Sequence, residues 1–258
     1  MSDTTTHEAL VGRQFGERAA AYLSSAVHAQ GADLAALAAL VEGGGKARVL
    51  DLGCGAGHVG FAAAPRAGEV VAYDLSAEML AVVARAAAER GLRNLATRQG
   101  VAEHLPFEDA SFDCVLSRYS AHHWRDFETG LREASRVLKP GGVAGFVDAV
   151  APGRPLLDTF LQAIELLRDP SHVRDYSRAE WEAALARAGL VPGTVGTHVV
   201  RLEFSSWVER MRTPKVQVEA IRALQGAMSE SVTRYFEIDK DGSFNLDIAL
   251  FEARKPLV

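Results

Sequence analysis

Two acids and a run of glycines carry most of the chemistry written into this chain. Asp51-Leu52-Gly53-Cys54-Gly55-Ala56-Gly57 follows the apolar run Ala47-Arg48-Val49-Leu50 and precedes a helical pattern from His58, so it reads as a strand turning through glycines into a helix. Glycines there allow positive φ and let a ligand approach with no Cβ in the way. The acid ahead of them selects the ligand. A pyrophosphate at the helix N-terminus would be repelled by Asp51, whereas S-adenosylmethionine carries no phosphate and presents an α-ammonium and a sulfonium that a carboxylate attracts. Gly55-Ala56-Gly57-His58-Val59-Gly60 also fits the dinucleotide pattern G-x-G-x-x-G, which keeps NAD(P) open as the alternative. Asp74, at the tip of the next apolar run and about twenty residues beyond the turn, is placed to accept the ribose hydroxyls of an adenosine in either cofactor.

A second reactive group is Ser117-Arg118-Tyr119-Ser120-Ala121-His122-His123-Trp124, just past a buried strand. Methyl transfer from a sulfonium is an in-line displacement that chiefly needs alignment and exclusion of water, and it needs a base only if the acceptor must lose a proton. His122 and His123, with Tyr119 beside them, are the candidates for that step, and packing of the loop is the other reading of both histidines. Adjacent histidines also suggest a metal, but no third ligand stands at a matching spacing, so no metal is expected. Arg118 must meet an anion or solvent, and an acidic acceptor is one candidate. His172 and Tyr176 fall in a loop that could close over the site.

These groups need a scaffold that brings strand ends together. Strands near Arg48, Val71, Ala96, Val115 and Ala144 alternate with helices from His58, Ser76 and Asp126, the pattern of a parallel sheet covered on both faces. Ser76 caps a helix closed by Gly91. Lys139-Pro140-Gly141-Gly142 is expected to force a turn before a fifth strand over Val143 to Val150. Ahead of the sheet, Glu8 to Gln30 and Asp33 to Val41 read as helices. After it come helices Pro155 to Arg168 and Arg178 to Ala188, a strand pair around Val195 to Phe204, further helices to Phe236, and a final strand from Phe244 to Ala253. The expected organisation is one domain over 1–258, with capping helices in 1–45, a cofactor-binding core in 46–150, lid helices and strand six in 151–243 and the last strand in 244–258. Ligands in such sheets bind beyond the carboxyl ends of the strands, where all the motifs above lie.

With 258 residues, 48% of them apolar, and a net charge of −5, the chain can bury a full core and has no basic face for a phosphate backbone, so nucleic acid is not an expected partner. No stretch approaches a membrane span, and the polar start lacks the pattern of a signal peptide; a cytoplasmic protein, monomer or homodimer, is the expectation. Two cysteines without C-x-x-C spacing suggest neither a disulfide scaffold nor zinc.

The glycine turn, Asp74, Ala102-Glu103-His104-Leu105-Pro106-Phe107, Ser111-Phe112-Asp113 and Leu138-Lys139-Pro140-Gly141-Gly142 together resemble the class I methyltransferases, and within them the ubiquinone/menaquinone-biosynthesis C-methyltransferase-like group (methyltransferase type 11 domain). Arg168-Asp169-Pro170-Ser171-His172-Val173-Arg174 resembles a bacterial branch of that group. The resemblance implies an α/β, Rossmann-like seven-stranded sheet, mostly parallel with an antiparallel last strand, plus a helical lid. It implies S-adenosyl-L-methionine as cofactor, with Asp51 and Gly53 lining its methionine moiety, Cys54, Gly55 and Gly57 also in the cofactor-binding turn, and Asp74 on its ribose. Leu75 and Met79 would lie on the adenine face and Val101 and Ala102 at its edge. Ser117 would form the wall beside the methionine, and Tyr22, with Phe15 and Ala19, a capping segment. Where the family commonly has Gly-Asp-Ala, this chain has Gly100-Val101-Ala102, so backbone groups or Glu103 must replace the missing acceptor for the adenine amine. Nucleobase amino-methyltransferases resemble one another in an acid or Asn before Pro-Pro and an aromatic at the strand-four exit; Ser117-Arg118-Tyr119-Ser120 differs, which points to a small-molecule acceptor methylated on carbon or oxygen. An NAD(P)-dependent oxidoreductase and a non-catalytic cofactor-binding protein of this fold are the alternatives.

Overall fold

A computed structural model of the chain describes residues 6–16 and 31–257. Helices α1 (His7–Gly16) and α2 (Ala32–Ala39) precede an alternation of β1 (Arg48–Leu52), α3 (His58–Ala63), β2 (Glu69–Asp74), α4 (Ala77–Glu89), β3 (Leu95–Gln99), β4 (Phe112–Arg118), α5 (Phe127–Val137) and β5 (Leu138–Ala149). Then come α6 (Pro155–Arg168), α7 (Arg178–Arg187), β6 (Val191–Leu202), α8 (Phe204–Arg210), α9 (Lys215–Ala227), α10 (Glu230–Tyr235) and β7 (Phe244–Arg254). The seven strands form one sheet in the order β3-β2-β1-β4-β5-β7-β6. The first five are parallel; β7 runs antiparallel to both of its neighbours, β5 and β6.

Alternation along the strands divides the core between the two faces of the sheet. Val49, Val70 and Leu116 belong to one apolar cluster, while their neighbours Leu50, Val71 and Val115 belong to the other, as the period of two demands. The first cluster continues into Leu161 and Ile164 of α6, Trp207 of α8, Ile221 of α9 and Val232 of α10, so the helices expected as a lid share their core with the sheet. Helix α7 packs on the opposite face, where Trp181 stacks on Phe251 and meets Phe127 edge-on. No described helix is long and apolar enough to cross a membrane.

Three expectations need correction. Lys139-Pro140-Gly141-Gly142 does not precede the fifth strand but lies within it: Phe112 pairs with Leu138 and Cys114 with Val143, so the extra residues bulge out of the ladder. The bulge is stable because Lys255 substitutes for β4, accepting from the Gly141 N–H and donating to the Gly142 carbonyl. The strand pair expected around Val195 to Phe204 is one long edge strand, β6, whose partner is β7. The described part of the first helix ends at Gly16, and Ala19, Tyr22 and Val27 lie outside the described residues.

The sheet order reverses between β1 and β4. Asp51 stands opposite Leu116 in that pairing, so the glycine turn after β1 and the segment after β4 emerge side by side. Open α/β sheets place ligand crevices at such reversals.

Candidate active site

The turn after β1 is built around contacts that only glycine allows. Gly53 has φ +69, and a Cβ there would lie 1.8 Å from the Ser120 hydroxyl oxygen. The N–H groups of Gly53 and Cys54 both donate to the Tyr73 carbonyl at 2.8 and 3.0 Å, which ties the turn to the tip of β2. Asp51, 1% exposed, accepts the Gly60 N–H of α3 on Oδ2 at 2.7 Å, while its Oδ1 is buried with no hydrogen-bond donor among the described residues. Burial raises the Asp51 pKa to about 7, against the pull of the Gly60 amide and with help from the nearby Asp74 charge. Asp74 receives the N–H of Gly55 at 2.8 Å and of Ser76 at 2.9 Å, and burial still pushes its carboxyl upward. Desolvation, then the charges of Asp74 and Asp51, hold the Cys54 thiol protonated, so Cys54 is no nucleophile.

A first cavity opens over this turn. Asp51, Gly53, Cys54, Gly55, Asp74, Leu75, Met79, Val101 and Ala102 line it, and His7, Glu8, Val11 and Phe15 of α1 close its far side. Gly57 shapes the turn from just behind that wall, with φ +84 at the start of α3. Glu103 reaches the cavity as well, with one carboxylate oxygen accepting the Asp126 N–H at 3.1 Å.

The exit of β4 differs from expectation at Ser117. Ser117 stays inside the sheet, 2% exposed, and is not part of the cavity wall, because the strand runs one residue further before the chain turns. Its neighbours Arg118, Tyr119 and Ser120 form the wall instead. Arg118 meets an anion, Asp33 of α2, Nε to Oδ2 at 2.6 Å, with both side chains 5% exposed. Tyr119 adopts φ +52, an uncommon backbone for a residue with a Cβ, and its N–H is held by the Val147 carbonyl at 2.8 Å.

After Tyr119 the chain makes one 3₁₀ turn, Ala121–His123, which points the two histidines to different partners. His122 Nδ1 lies 2.5 Å from Asp148 Oδ1 at the end of β5; burial pulls its pKa down, but the carboxylate outweighs that and raises it to about 9. His123 Nδ1 is 3.0 Å from the Ser171 carbonyl, which can only accept, so Nδ1 bears the hydrogen and Nε2 the lone pair. Burial first and the His122 cation second lower the His123 pKa to about 4.

A second cavity lies on the other side of His123, between the sheet and the helices after β5. Val200, Leu202, Trp207, Met211, Leu246 and Ile248 make it apolar, and His122, Glu165, Arg168, Asp169, His172 and Asp175 add a charged rim. Phe15, Tyr119 and His123 line both cavities, with Phe15 edge-on to the His123 ring at 4.9 Å. His172, expected in a closing loop, is buried, and Tyr176 stacks on Phe127 at 4.0 Å. The acids Asp33, Asp169 and Asp175 escaped the sequence reading. Only their placement in Arg168-Asp169-Pro170-Ser171-His172-Val173-Arg174 and the adjoining Asp175 could have signalled two of them.

The donor set of the first cavity fits S-adenosylmethionine: a buried carboxylate oxygen lacking a donor suits a cation, and a second carboxylate at the tip of β2 suits a ribose. Comparison with known proteins agrees. The pattern of the methyltransferase domain family matches residues 50–146. Protein YafE of Escherichia coli (strain K12) is 51% identical over 199 residues, 77% of this chain and 96% of its own length. Demethylmenaquinone methyltransferase of Chlorobaculum parvum is 36% identical over 118 residues, 45% of this chain and 47% of its own. The methyltransferase YcgJ of Bacillus subtilis is 40% identical over 200 residues, 78% of this chain and 79% of its own. Its crystal structure superimposes with a TM-score of 0.83, covering 87% of this chain and 98% of that one. These relatives decide between the two cofactors that Asp74 alone left open. In sequence and in fold, the chain belongs to the class I methyltransferases and is an enzyme whose cofactor is S-adenosylmethionine.

Proposed function

We propose that the second cavity receives the methyl acceptor, a small and partly apolar molecule with a nucleophilic carbon or oxygen, and that transfer crosses the wall shared with the first cavity. The observation that carries this reading is that Phe15, Tyr119 and His123 line both spaces. The demethylmenaquinone methyltransferase among the relatives favours a quinone-like or phenolic acceptor. Bound S-adenosylmethionine supplies an electrophilic methyl group on a sulfonium that needs no acid to leave.

The chain's own residues do the rest. Asp51 attracts the α-ammonium through its donor-free Oδ1 and the short turn Gly53, Cys54, Gly55 and Gly57, and Asp74 accepts from the ribose. Leu75 and Met79 cover the adenine, with Val101 and Ala102 at its edge. Phe15 and α1 exclude water from above. His123 takes the acceptor proton on Nε2, because Nδ1 is spent on the Ser171 carbonyl; Tyr119, whose hydroxyl is kept protonated by burial and by its hydrogen bond to Asp33, lines both cavities with it. His122 is not assigned that role, since Asp148 raises its pKa to about 9 and keeps it protonated. Ser117 has no cavity-facing role in this scheme, and Tyr22 is assigned none.

A screen with methyl-labelled S-adenosylmethionine against hydroxyquinones, quinols and phenols tests the acceptor class. Labelled product is expected with at least one, and His123→Gln should lower turnover by about 10² to 10⁴ while leaving the affinity for S-adenosylhomocysteine within about twofold. No product across the panel would reject the acceptor class, and an unchanged rate in the variant would reject the base.

A further inference from the structure

Beside the second cavity, three side chains from distant parts of the chain converge: His122 after β4, Asp148 at the end of β5, and Asp175 in the segment between α6 and α7. One potential ligand atom from each lies within 4.8 Å of the other two. Asp148 is locked in place, with Oδ2 accepting the Ala121 N–H and Oδ1 the Ala149 N–H, each at 2.9 Å. Asp175 is held by its backbone: the Gln162 side-chain amide donates to its carbonyl at 2.7 Å and accepts its N–H at 3.1 Å.

The Asp175 carboxylate itself is the unexplained group. Asp175 is 2% exposed and its Oδ2 has no hydrogen-bond partner among the described residues. His172 does not supply one, since its Nε2 stands 3.2 Å from the Gln162 amide oxygen and 3.9 Å from Asp175. The His122 ring serves Asp148. Two buried carboxylates thus face one imidazole, and Glu165 adds a third negative charge nearby. The His122 cation pairs with only one of them, Asp148, and the like charges left out of water stay costly until a further cation joins them.

We propose that His122, Asp148 and Asp175 form a binding site for one divalent first-row transition-metal ion. One imidazole and two carboxylates suit Mn²⁺, Fe²⁺, Co²⁺ or Zn²⁺ better than Ca²⁺ or Mg²⁺, which prefer oxygen alone, or soft ions, which prefer thiolate. The ion takes the place of the hydrogen between His122 Nδ1 and Asp148 Oδ1, which leaves to solvent. Three protein ligands leave coordination positions open, and His122 and Asp175 both line the second cavity, so those positions face it. The sequence reading expects no metal because it looks for a third ligand near the histidines. The ligands come instead from 26 residues further on, at the end of β5, and from the segment after α6.

The site does not depend on which molecule enters the second cavity, and its test reads metal directly. Crystals of the full chain soaked in manganese chloride should show one anomalous peak about 2.1 Å from an atom of each of the three side chains. Calorimetry with Mn²⁺ should give one equivalent, and Asp175→Asn should weaken binding about tenfold or more, with Asp241→Asn on an exposed loop as the unaffected control. Binding of S-adenosylhomocysteine by the same Asp175→Asn sample certifies its fold; if that variant fails to fold, the crystal soak alone decides. Absence of the peak, or wild-type Mn²⁺ affinity in folded Asp175→Asn, overturns the site.

Discussion

Burial raises Asp51 to about 7 because one carboxylate oxygen has only the Gly60 amide and the other has no donor. A pKa raised above its unfolded value means that the contribution of Asp51 to stability is complete below about 4 and is lost as pH rises through about 7. A bound ammonium reverses the preference, since it needs the ionised form. Asp51→Asn should therefore have effects of opposite sign: a higher melting temperature for the free protein at pH 8, and a dissociation constant for S-adenosylhomocysteine raised roughly thirtyfold, from the loss of about 2 kcal/mol in a charge-assisted contact. Wild-type affinity for S-adenosylhomocysteine should also fall between pH 8 and pH 6, and that dependence should vanish in Asp51→Asn. Calorimetry at the two pH values checks both; a parallel pH dependence in the variant would assign it to another group.

At the scale of elements, the glycine turn and the β4 exit are one object, because Gly53 exists to let Ser120 approach. Gly53→Ala would force Ser120 and the Trp124 indole that donates to it to move, shifting the 3₁₀ turn that carries both histidines. The expected result is a loss of several degrees in melting temperature together with S-adenosylhomocysteine binding, measured by thermal shift with and without the ligand. Ser76→Ala, which removes the acceptor of the Met79 N–H at the start of α4, should cost only about 1 kcal/mol in chemical denaturation. The turn was legible in the sequence because its signals are local: an apolar run, an acid, glycines and a cap lie within a few residues of one another. Arg118 with Asp33, and His122 with Asp148 and Asp175, were not legible because their partners are brought in by sheet order and by the packing of α6, which no local pattern encodes. The bulge at Pro140 was misread for the same reason, since the strand that rescues it follows more than a hundred residues later.

For the molecule as a whole, a parallel sheet was readable from the alternation of strands and helices, whereas the division of the later helices between the two sheet faces was not. Trp207 joins these levels: it is 1% exposed, meets Phe244 edge-on at 5.0 Å, lies under Arg168 and lines the second cavity. Trp207→Ala should destabilise the protein by about 3–5 kcal/mol in chemical denaturation, with one cooperative transition because α8 shares the core of the sheet. Two separate transitions would instead mean that the helices after β5 melt independently.

The antiparallel strand β7 sits between β5 and β6, yet it follows both along the chain. During synthesis β6 therefore emerges with no neighbour to pair with, and the second cavity, to which β7 contributes Leu246 and Ile248, has no floor until this strand threads into the gap. A ribosome-arrested chain stopped before Phe244 should accordingly hold the adenosine side of the enzyme in outline while being unable to house a methyl acceptor.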